Sequence, residues 1–141
     1  MPKGGNRYVC IYKTEIWEEY EMLDKKMLEE YKVLGKEIAS LKMQLADKKN
    51  QAMGCSKDKR RRVLELEKKL KHQMEECEVQ KLEVEEFITD IEDVTTRMIF
   101  RYLYLENLTQ KEVERKIHLD QSVISKRVTR YLKLHSMHKN T

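Results

Sequence analysis

The chain has 141 residues, room for one domain or for a small domain with an appendage. Just under half of it is Ala, Glu, Lys, Leu and Arg, with one proline and four glycines, a composition of long helices that leaves little for a large enclosed enzyme core. The net charge of +4 is unevenly spread: ten basic and four acidic side chains over 47–74, one and eight over 75–92, and no acid after Asp120.

Residues 1–13 carry no helical period and are expected as a flexible arm. From Thr14 onward Ile16, Tyr20, Leu23, Met27, Tyr31, Leu34, Ile38, Leu41 and Leu45 recur at a mean spacing of about 3.6, the period of a straight helix. Asn50, Gly54 and Ser56 then mark a turn over 50–57. A second stripe of Val63, Leu66, Leu70, Met74, Cys77, Val84, Ile88 and Ile91 predicts a partner helix of similar length, about 50 Å each at 1.5 Å per residue. Equal lengths around a short turn predict an antiparallel, coiled-coil-like hairpin over 14–92. The basic run Lys59 to Arg62 reads as the solvated start of its second helix.

Apolar residues also lie off the stripes: Trp17, Met22, Leu28, Val33 and Met43 on the first helix, Leu64, Val79, Leu82 and Phe87 on the second. Left open they form a larger apolar surface than a soluble monomer usually shows, so a homo-oligomer, a dimer or higher, is expected, unless the C-terminal helices cover them.

The pattern changes at Asp93. Met98, Ile99, Tyr102 and Leu103 line a short helix that ends near Asn107, a residue that tolerates the left-handed conformation. Thr109 and Glu112 form a capping box for a helix with Val113 and Ile117. After His118 and Leu119, Asp120 is placed to cap a third helix from Gln121 to about Leu134. Helix, short turn, helix over 93–135 is a DNA-binding pattern, followed by a tail over 136–141. On the third helix Ile124, Val128, Tyr131 and His135 share an inner face at 100° per residue. Ser122, Lys126, Thr129 and Lys133 lie opposite, flanked by Gln121, Ser125 and Arg130, and Arg127 of the same helix is counted with them as a candidate. Such donors contact base edges and phosphates, and Thr109 and Gln110 at the start of the preceding helix join the candidate DNA-binding set.

The run over 108–128, with Leu108, Thr109, Val113, Ile117, Leu119, Ile124 and Val128 as its apolar and capping frame, resembles the helix-turn-helix of sigma factor region four. The helix before it, from Arg97 to Asn107, resembles the preceding helix of that region. With the long hairpin in front, the layout is similar to RinA- or ArpU-like regulators of phages and mobile elements. The family's usual glycine in the turn is His118 here, which must then take a positive φ. Its usual small residue is Glu114, which sets the helices wider or leans outward. The resemblance implies sequence-specific binding of double-stranded DNA, transcription regulation and possible contact with RNA polymerase.

Other classes find little support. No apolar run approaches the ~20 residues of a membrane span, and Cys10, Cys55 and Cys77 are odd in number and widely spaced, as in a reduced cytoplasmic protein. There is no phosphate loop or nucleophile elbow. His135 and His138, with His72 and Cys77, lack metal-ligand spacing, so no enzyme activity, cofactor or metal is expected. The expectation is an all-α DNA-binding transcription regulator. The alternatives are a phage DNA-packaging protein of the small-terminase kind, or a helical adaptor that binds protein through its acidic stretch over 75–92.

Overall fold

The computed structural model describes the backbone of residues 2–135 and the side chains of residues 24–135. The expectations for Ile16, Trp17, Tyr20, Met22, Leu23 and His138 lie outside the described side chains. The fold is all-helical: α1 (Pro2–Ala52), α2 (Lys57–Thr89), α3 (Val94–Phe100) running into a π-helical turn (Arg101–Leu105), α4 (Gln110–Ile117) and α5 (Gln121–Leu134). No described helix is long and apolar enough to cross a membrane. The first helix starts at Pro2 and not near Thr14, so the backbone expected as an arm is helical. Proline is tolerated at a first helical position, and extending an existing helix is cheap compared with nucleating one.

The chain divides into two compact units, Tyr31–Glu86 and the remainder. In Tyr31–Glu86 the two long helices run antiparallel. Tyr31 donates to the Glu85 carboxylate at 2.5 Å, and the Lys81 ammonium lies 5.0 Å from the Tyr31 ring centre. Leu41, Leu45 and Leu70 form a buried cluster with Met74 against it. Burial first, and then the Glu85 carboxylate, push the Tyr31 phenol up to about 12. The turn depends on Gly54, whose φ of 88° a side chain rarely adopts.

The second stripe needs one correction. Leu66 is 40% exposed, and Glu67 is buried in its place. The alternating steps of four and three through Val63, Glu67, Leu70, Met74 and Cys77 carry the heptad seam through Glu67. The methylene stem of a glutamate can pack at such a seam position.

In the other unit, Phe100 has no exposed surface. Its ring centre lies 6.3 Å from Phe87, 5.4 Å from Tyr131 and 5.6 Å from Tyr104. Edge-on and tilted contacts of this kind add to the area that the rings bury. Burial pushes the Tyr104 phenol up to about 12, with a contribution from Glu29, and raises Tyr131 as well. Phe87 and Leu28 are therefore not part of an open apolar surface: Phe87 sits half-buried against Phe100 and Tyr131, and Leu28 is buried.

The start of α3 is fixed twice. Asp93 accepts from the backbone N–H of Thr96 at 3.0 Å and from its hydroxyl at 2.6 Å, and Arg97 donates to the Ile91 carbonyl at 2.8 Å. The hydrogen bonds from Thr96, then the nearby Arg127, hold the Asp93 carboxyl below its ordinary range.

Candidate nucleic-acid interface

The π-helical turn ends at Leu105, and Asn107 two residues on has a φ of 55°, the left-handed conformation its position called for. Thr109 then caps α4 reciprocally: its hydroxyl accepts from the Glu112 N–H at 3.2 Å, and the Glu112 carboxylate accepts from the Thr109 N–H at 3.3 Å. The helix stops at His118, at φ 61° and ψ 41°, with its N–H on the Glu114 carbonyl at 2.8 Å. A non-glycine residue thus makes the left-handed turn.

Asp120 occupies the N-cap position of α5, but its side chain makes no cap bond. The cap comes from Glu114, whose carboxylate accepts from the Gln121 N–H. The glutamate expected to lean outward or to spread the helices bridges them instead. A second bridge runs from the Gln121 side-chain Nε2, which donates to the side-chain Oε1 of Gln110. Two of the expected DNA contacts, Gln110 and Gln121, are thereby tied to each other across the turn.

Val113, Ile124, Val128 and Leu132 are buried. The inner face of α5 differs from the expectation at its end: Leu132 is buried, Tyr131 is half-buried, and His135 is exposed. The helix ends at Leu134, and His135 has extended backbone, φ −132° and ψ 120°, so the helical projection no longer applies to it. Its ring stacks on Tyr131 at 4.5 Å.

The outer face of α5 carries Ser122, Ser125, Lys126, Thr129, Arg130 and Lys133, all exposed, and the helix contains no acid. Ser125, Lys126, Thr129, Arg130 and Lys133 line one open depression. Arg127 lies elsewhere: its guanidinium is 3.1 Å from the Asp93 carboxylate, so it joins α5 to the cap of α3. Thr109 is exposed but committed to its capping box. The residues exposed together on one surface are thus the two serines, Thr129 and the three cations Lys126, Arg130 and Lys133.

Sequence reasoning missed two positioning residues. Asp93 followed three places later by Thr96 has the spacing of a cap, a readable local signal. Glu114 reaches Gln121 from seven positions away, and no local signature marks that contact. Among the described residues no group of three or more His, Cys, Asp or Glu is arranged to hold a metal. Comparison of the chain with protein-family models, curated proteins and solved structures finds no match.

Proposed function

We propose that the chain is a sequence-specific DNA-binding regulator of transcription, with α5 as the helix that enters the major groove. The observation that carries this reading is the exposed, acid-free face of α5, backed by the buried Ile124, Val128 and Leu132 on the opposite side and braced against a capped α4. Ser122 and Ser125 lie near the start of α5, the end that meets base edges in this motif. Lys126 and Thr129 continue that line, and Arg130 and Lys133 hold phosphates on its flank. Arg127 and Gln121 act mainly as braces that fix how α5 is presented. In this reading the protein works in the cytoplasm on double-stranded DNA, beside RNA polymerase, without cofactor or metal. Control of phage or mobile-element genes is the role that the resemblance of its layout to RinA- or ArpU-like regulators supports.

The test is a gel-shift titration of the full chain and of the double variant Lys126→Ala/Arg130→Ala. Affinity should fall with salt by about 0.9 log units per log unit of salt for each phosphate neutralised. The double variant should bind at least tenfold more weakly and with a shallower salt slope. Equal affinity would remove α5 from the interface. Tight but sequence-indifferent binding, with ring-shaped assemblies, would favour the packaging alternative.

A further inference from the structure

The outward side of α2 has a pattern that the hairpin core does not use. Arg60, Leu64, Lys68, Lys71, Glu75, Glu78, Leu82 and Glu86 are all exposed, and at 100° per residue they fall within about 40° of one line along the helix. The buried Val63 and Leu70 lie about 100° round from that line, on the side facing α1. Leu64 and Leu82, 44% and 52% exposed, sit about five turns apart on the same line. The stripe is basic in its first half and acidic in its second.

This order is self-complementary in one orientation only. We infer that the occupant of this face is the α2 helix of a second copy of the chain, packed antiparallel about a two-fold axis near Gln73. Lys71 then meets Glu75 of the partner and Lys68 meets its Glu78, each pair occurring twice by symmetry. At either end Leu64 meets the partner's Leu82, and beyond it Arg60 meets the partner's Glu86. A parallel pairing would set lysine against lysine and glutamate against glutamate. Sliding the antiparallel pair by one heptad sets Lys68 against Lys71 or Glu75 against Glu78. Charge thus fixes both direction and register, as seam and flanking charges do in coiled coils.

The centre of the contact is ionic and only its ends are apolar, so the association is weak and salt-sensitive. The interface does not depend on the DNA reading, and its test uses no DNA. Sedimentation of the full chain at micromolar concentration should show twice the 17.1 kDa chain mass at about 0.05 M salt and the chain mass at about 0.5 M.

Two double variants test the pairing. Lys68→Glu/Lys71→Glu makes the four central charges of the stripe all acidic, and Glu75→Lys/Glu78→Lys makes them all basic. Each alone should dimerise at least tenfold more weakly. An equimolar mixture should regain the dimer, because acidic then faces basic along the whole stripe. Circular dichroism at wild-type helicity excludes misfolding, and recovery in the mixture does so independently. A wild-type chain that stays monomeric at low salt, or double variants that stay dimeric, would overturn the inference. So would failure of the mixture to associate.

Discussion

The hairpin unit and the C-terminal module are both built from helices, yet they solve the burial problem differently. In the hairpin unit, Leu41, Leu45, Leu70 and Met74 make a core one side chain deep. Met43 remains 75% exposed, with Val33, Leu64 and Leu82 also open. In the module, Ile99, Phe100, Val113 and Ile124 have no exposed surface, and the aromatic contacts of Phe100 tie α3 to α5. A two-helix hairpin can bury only one stripe of each helix, whereas helices crossing on several sides of a ring can enclose it. The module also fixes its backbone through the caps at Asp93 and Thr109 and the left-handed residues Asn107 and His118. One unit is built to hold a single geometry. The other is a shaft whose outer faces remain available.

The contrast predicts that the sharpest loss comes from the module's centre. Phe100→Ala should cost about 3–5 kcal/mol, enough to lose the packing of α5 while the hairpin retains its helicity. Near-UV circular dichroism should then collapse far more than the far-UV signal. A variant that keeps its near-UV spectrum and melting temperature would mean that the module does not depend on this ring.

A smaller effect comes through Asp93. Its folded carboxyl titrates below the ordinary value, so the stability it lends is fully present above the ordinary carboxylate range. That stability is lost as pH falls through the lowered folded value. Between about pH 5 and pH 3 the wild type should therefore lose melting temperature more steeply than Asp93→Asn, whose side chain does not titrate there. Parallel pH profiles would show that titration of the Asp93 carboxylate contributes nothing to stability.

The smallest effect lies in the hairpin. A Cβ added at Gly35 would meet only the Lys81 ammonium, at 3.8 Å, an ordinary contact at the end of a flexible side chain. Gly35→Ala should stabilise the protein by about 0.5–1 kcal/mol, because it restricts the unfolded chain and improves helix propensity. Urea unfolding that shows a loss would place that site under closer packing than the structure has.

The same contrast explains what was legible in the sequence. Ile38, Leu41, Leu45 and Leu70 follow the helical period and are buried, because a periodic stripe on a two-helix hairpin has one place to go. Period alone could not choose between the neighbours Leu66 and Glu67, since a glutamate can pack through its stem. The capping box depends on local spacing and was readable for that reason, while the left-handed His118 was implied by the resemblance, whose turn has glycine at that position. Contacts between elements were not. The Glu114 cap on α5, the Arg127 pair with Asp93 and the cover that Phe100 and Tyr131 give Phe87 are set by how helices cross. At the candidate interface the outer face of α5 emerges as expected, while Gln110, Gln121 and Arg127 are engaged within the protein.

The central claim is that the exposed face of α5 reads base sequence. Selection of bound sequences from a random DNA pool, run in parallel for the wild type, Ser122→Ala and Ser125→Ala, tests it most directly. Each variant should relax the preference at a distinct position of the selected site, at about 1–3 kcal/mol for a lost base contact, and leave the remaining positions unchanged. Identical profiles for all three proteins, or a wild type that selects no sequence at all, would contradict the account.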